Sequence, residues 1–155
     1  MTAYAGWQGP DPEPGPAPGV SFASAGSRLV AYIVDLIVAT LVSVALAIVG
    51  VALVVVLPVL AIIPFLAFFT VSLLYFPYFW QRNGQTPGMQ MMGIKVVRDS
   101  DGGPITWGTA VLRLIGYWIS GFVFYLGYIW VFIDKRKRGW HDLIAGTVVI
   151  EAPSR

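Results

Sequence analysis

The stretch Ser27-Arg28-Leu29-Val30-Ala31-Tyr32-Ile33-Val34-Asp35-Leu36 sets an arginine at the start of an apolar run and an aspartate inside it. From Leu29 to Trp80 there are 52 residues, and Asp35 is their only charge. At 1.5 Å per residue this run would make about 78 Å of helix, against a hydrocarbon core of about 30 Å. One membrane span cannot use that length and two can. Gly50, Pro58 and Pro64 are the places where helix formers give way, which predicts a first span near 29–52 and a second near 60–80. Arg28 and Asp35, seven residues apart, fall on nearly the same helix face with the acid about 10 Å deeper. A carboxylate at that depth requires a cation, a proton or a wet cavity.

The composition agrees. Hydrophobic residues make up 57% of the 155 and charged ones 12%, about half the charge of a soluble globule. With no cysteine there are no disulfides or thiolate metal sites, and one histidine, His141, argues against a metal centre or a Ser-His hydrolase. No phosphate loop or spaced nucleophile and base occurs, so neither enzyme activity nor a cofactor is expected. Residues 1–24, with prolines at 10, 12, 14, 16 and 18, read as a disordered tail. Residues 25–151 form the membrane domain and 152–155 a short C-terminal tail.

Residues 81–106 are polar and glycine-rich and contain Gly93-Ile94-Lys95-Val96-Val97-Arg98; a second β-rich piece, Thr147-Val148-Val149-Ile150, lies near the end. Neither persists alone, so the two are expected to pair in a small cytoplasmic sheet. Between them Leu114 to Ile133 is an uncharged run of 20 residues, long enough for one crossing. A crossing, however, would separate the strands and export Lys135, Arg136, Lys137 and Arg138, against the positive-inside rule. Gly116, Gly121 and Gly127 suggest a re-entrant hairpin turning near Gly121 or Gly127, and the charge rule favours it over a third span. The predicted fold is an all-α membrane protein: two transmembrane helices, a third apolar segment that re-enters or crosses, and a small cytoplasmic β element, with both termini cytoplasmic. The partners expected are the bilayer and anionic lipids, drawn to Lys135, Arg136, Lys137 and Arg138 by about 1 kcal/mol per charge, and not nucleic acid.

Four elements recur in order: Arg28 with Asp35; the loop Gly84-Gln85-Thr86-Pro87-Gly88 before Gly93-Ile94-Lys95-Val96-Val97; Arg113 opening the third run; and Gly139-Trp140-His141-Asp142-Leu143-Ile144-Ala145-Gly146-Thr147. Together they resemble the RDD family of bacterial membrane proteins, named for one arginine and two aspartates, over roughly residues 25–151. Matched to this chain, these are Arg28, Asp35 and Asp142. The central loop departs from the pattern, with Pro87-Gly88-Met89 where similar proteins often have a basic step. The resemblance implies location in the bacterial cytoplasmic membrane and suspected transport, including proton-coupled cation exchange in some members.

Asp35 is the strongest site candidate, with Arg113 its expected partner and Arg28 the other choice, either as a static ion pair or as a working acid. Asp142 is expected in a solvated turn, capping or bridging to the basic cluster. His141 reads as a pH sensor or, more simply, as a hydrogen-bonding bystander. Two functions are compatible with these residues. One is proton-coupled cation transport by a homo-oligomer or within a larger complex, since two spans and a hairpin enclose no pathway. The other is an accessory or assembly subunit with structural Arg/Asp pairs.

Overall fold

The computed structural model describes residues 15–17 and 19–152; the rest of the expected N-terminal tail and residues 153–155 lie outside the described residues. Helix α1 runs Ala25–Val56, started by Ser24, whose hydroxyl accepts from the Ser27 amide. Leu57 breaks it, a single 3₁₀ turn Pro58–Ala61 comes next, and α2 runs Ile62–Asn83 with Pro77 inside it. Both are long and apolar enough to span a bilayer. The span expected at 29–52 is longer at both ends, the one expected at 60–80 is shifted to 62–83, and proline at the first position of the 3₁₀ turn marks the break. At 32 residues α1 is about 48 Å long, so its first turns stand clear of a 30 Å core.

A short helix α3, Pro87–Met91, capped by Thr86, leads into strand β1, Ile94–Arg98. Helix α4, Trp107–Phe122, then packs on α2, and the chain turns by 112° into α5, Leu126–Ile129, continued by a 3₁₀ turn to Phe132. Helix α6, Trp140–Ala145, and strand β2, Thr147–Glu151, complete the described elements. The strands pair antiparallel with Val96 opposite Val149 and Val97 opposite Val148. Ser21 to Ala23 lie along the other edge of β2, through Glu151 N–H to the Ser21 carbonyl (3.0 Å) and Ala23 N–H to the Val149 carbonyl (2.9 Å). Packed structure therefore begins before residue 24, because Phe22 and Ala23 are apolar enough to be buried there.

The strand pair determines the path of the third apolar segment. Strand β1 precedes it and β2 comes after it, and a hydrogen-bonded ladder cannot straddle a bilayer, so α4 and α5 enter and leave on the sheet side. The turn is not at a glycine: Phe124 (φ 49°) and Tyr125 (φ 60°) take the left-handed conformation, uncommon for bulky residues. The glycines serve packing instead. A Cβ on Gly127 would overlap Ser120 and one on Gly116 would meet the His141 backbone, whereas one on Gly121 would meet nothing.

Single cysteines at Ser100 and Lys135, both exposed, are expected to label from one side of the membrane, and one at Leu57 from the other. Labelling of Ser100 and Lys135 from opposite sides would establish a crossing third segment and overturn the hairpin.

Candidate functional site

Two buried carboxylates organise the polar interior on the sheet side. Asp142 stands in the first turn of α6, where the Gly139 N–H donates to its Oδ2 (3.1 Å), closing the helix start. Arg28 Nη1 donates to the same oxygen at 2.6 Å, while Arg113 Nη1 donates to Oδ1. Thr147, the first residue of β2, accepts from Arg113 Nη1 (2.7 Å) and donates to Asp142 Oδ1 (3.3 Å). The Arg113 guanidinium lies 4.9 Å from the centre of the Trp80 ring, a cation–π contact on α2. The start of α1, the middle of α4, α6 and β2 thus meet at one carboxylate with no exposed surface.

Asp35 has a separate set of partners. Its Oδ1 accepts from the Gly88 N–H (2.8 Å) and the Tyr75 hydroxyl (3.2 Å), and its Oδ2 from the Thr86 hydroxyl (2.5 Å). Thr86 Oγ1 in turn accepts from the Met89 N–H (3.2 Å) at the start of α3. Gly88 is required here: a Cβ would run into the Ala31 carbonyl of α1 and come within 3.0 Å of the Asp35 carboxyl carbon. Asp35 is therefore the clamp that fastens the 84–88 loop to α1.

The pairing expected from the sequence, Asp35 with Arg113 or Arg28, is not the one formed. A rise of about 10 Å over seven residues is too long for a direct Arg28 pair, and the loop supplies two donors, Thr86 and Gly88, with Tyr75 of α2 a third, none of them a cation. Both arginines go to Asp142, which is buried and not in a solvated turn. The basic cluster is also partly committed: Arg136 reaches Asp99 at 2.5 Å, and Arg138 pairs with Asp134 at 3.1 Å and Asp99 at 3.2 Å. Of the set Lys135, Arg136, Lys137 and Arg138, expected to attract anionic lipid, Arg136 and Arg138 thus tie the segment after the hairpin to the end of β1. Thr86, Tyr75, Thr147 and Trp80 were missed; only Thr86-Pro87 carried a signal, that of a helix cap with proline at the next position.

Burial alone would raise the Asp142 carboxyl, but Arg113 and Arg28 outweigh it and hold it well below the usual carboxylate range. For His141, burial pushes the imidazole down to about 3; Asp142 opposes this and Arg113 and Arg28 add to it. The ring stacks on Tyr117 at 4.1 Å between centres, and its Nδ1 is buried without a partner. It is neutral at physiological pH, which removes it as a sensor there.

An α-helical membrane protein with a two-stranded cap and buried Arg–Asp contacts is the class these features define. The chain matches the RDD family over residues 22–146, and it belongs to that family. It is 33% identical over 93 residues to the uncharacterized protein YxaI of Bacillus subtilis (strain 168), covering 59% of this chain and 60% of that protein. It is likewise 33% identical over 93 residues to the uncharacterized membrane protein YteJ of the same organism, covering 59% of this chain and 51% of that one. The match thus spans between half and two thirds of these relatives. No solved structure matches the chain.

Asp142→Asn leaves two guanidinium groups in low dielectric and is expected to destabilise the protein by roughly 3 to 5 kcal/mol, as for breaking a buried pair. Thermal unfolding in detergent measures this, and adding Arg113→Gln should recover part of the loss. An undiminished melting temperature for Asp142→Asn would refute the structural role.

A buried imidazole that resists protonation binds fewer protons folded than unfolded. Stability should therefore fall as pH drops from about 6.5 towards 4, by up to ~1.4 kcal/mol per unit. The low-lying Asp142 adds its own loss only below about 4. Denaturation in detergent across that range should show the slope in the parent protein and not in His141→Gln; equal slopes would contradict the burial of a neutral ring.

Proposed function

We propose that this chain is an accessory or assembly subunit of the bacterial cytoplasmic membrane, with its sheet and both termini on the cytoplasmic side, in which the Arg and Asp residues hold the helices in register. The observation that carries the reading is Asp142, fully buried and bonded by both Arg28 and Arg113. Those arginines are committed to internal contacts and not to tuning Asp35. From Leu36 to Val54, α1 has no buried residue, so one protomer encloses no route across the bilayer. That length of apolar helix is matched to lipid or to neighbouring subunits.

A second reading, proton-coupled cation exchange by a homo-oligomer, is favoured by one feature. Asp35 is a buried carboxylate on the wall of a cavity, with hydroxyls and an amide as partners and no cation. An ionisable side chain inside a span and on a cavity wall is the usual mark of an ion pathway.

Purified protein in liposomes separates the two. The accessory reading expects no proton or cation flux above empty vesicles, and a loss of stability for Asp35→Asn of order 1 to 3 kcal/mol from mismatched donors. Flux that disappears in an Asp35→Asn variant of unchanged melting temperature would establish exchange and overturn the accessory reading.

A further inference from the structure

Between α1, α2 and the re-entrant hairpin lies a cavity of about 320 Å³, walled by Tyr32, Phe76, Trp80, Tyr117 and Tyr128. Its rim includes Leu29, Ile129 and Phe132, each at least half exposed to the surroundings of the helices. Arg28, Arg113 and His141 line the end nearest the sheet, and Asp35 lies farther along α1. The size is at the lower end for a small-molecule site, and an aromatic wall with a few converging polar groups is the usual character of one.

The polar end is incompletely satisfied. Arg28 Nε, Arg113 Nε and His141 Nδ1 are all buried without a protein partner, although the Arg113 side chain is only 2% exposed and that of His141 5%. Buried polar atoms left unmatched are costly, and the two Nε–H groups are donors. Two guanidinium groups share one carboxylate, leaving one positive charge at this end. Asp35 opposes it, but its carboxylate already accepts three hydrogen bonds and lies about 10 Å along the helix from Arg28. At equal dielectric, an anion about 4 Å from the arginines is drawn more than twice as strongly as Asp35 repels it from about 10 Å.

We infer that this cavity binds one anionic membrane lipid from the leaflet on the sheet side, with a phosphate or carboxylate head at Arg28 and Arg113. Its chain would run along the Tyr32–Phe76–Tyr117 wall and leave between Leu29 and Ile129. Arg28 stands at the start of the span, so the head stays at headgroup level and the chain points towards the bilayer centre, as in the leaflet itself. The site is distinct from the basic run 135–138, where Arg136 and Arg138 are paired with Asp99 and Asp134. It does not depend on whether the chain is an accessory subunit or an exchanger.

Native mass spectrometry of the delipidated full chain, titrated separately with dioleoyl phosphatidic acid, dioleoyl phosphatidylglycerol, oleate and dioleoyl phosphatidylcholine, tests this. One anionic lipid per chain should be retained with at least about tenfold preference over phosphatidylcholine. Retention of oleate alone would assign a free fatty acid, and of the phospholipids alone a phosphate head; both support the site. Leu29→Trp and Ile129→Trp, at exposed positions outside the Asp142 cluster, should abolish the stoichiometric adduct while leaving the melting temperature of the lipid-free protein unchanged. Arg136→Gln with Arg138→Gln should leave it intact. Equal retention of phosphatidylcholine, an adduct indifferent to both tryptophans, or one lost with the Arg136 and Arg138 changes would overturn the proposal.

Discussion

A carboxylate with no exposed surface, shared by an arginine from the start of α1 and one from the middle of α4, is the contact on which the other features depend. Removing three charges from water costs several kcal/mol per ion. That cost is offset here only because Asp142 also accepts from an amide at the start of its own helix and from the Thr147 hydroxyl. Arg113 has a further contact in the Trp80 ring. The same residues therefore set the angle at which α1 and α4 leave the sheet. With those angles set, a gap remains between α1 and the hairpin.

Asp35 illustrates how a buried acid can be satisfied without a cation. Three donors on one carboxylate, one of them a backbone amide, replace much of the solvation that water would give. The helix α1 and the loop at residues 84–88 approach so closely that only glycine fits at position 88. The resulting contact couples the first span to the polar segment leading into β1, so the cap is fastened to the membrane helices at two separate points, Asp35 and Asp142.

Much of the architecture could be read from residue patterns. Fifty-two residues with one charge required two spans, and the cluster at 135–138 argued against exporting the residues beyond the third run. Alternation at residues 94–98 and β-branching at 147–150 marked the strands. All of these depend on one-dimensional quantities such as length, charge placement and period. The partners of Asp35 and Asp142 do not. A buried carboxylate calls for a counterion, and the sequence offers Arg113 first and Arg28 second, whereas the partners of Asp35 are the neutral donors of Thr86, Tyr75 and Gly88. Asp142 stands in a charge-rich stretch that looked solvated, and only the fold of α6 under α4, against Gly116, buries it. The hairpin turns between Gly121 and Gly127 as their spacing suggests, but Phe124 and Tyr125 adopt the left-handed backbone, while Gly116 and Gly127 are needed for close packing.

The Arg28 and Asp142 contact also spans 114 residues of chain, and that separation has a bearing on biogenesis. The spans can enter the bilayer as they are synthesised, but neither guanidinium gains its carboxylate until α6 has emerged. Between those moments the helices are inserted and not yet locked, the two-stage order in which membrane helices associate after insertion. Closure of the β1–β2 ladder and capture of Asp142 then occur together, since Thr147 begins the strand and touches both arginine-bound oxygen and arginine. Final assembly is thereby assigned to the segment that carries α6 and β2, and a ribosome stalled before residue 142 would hold an inserted chain with its cap open.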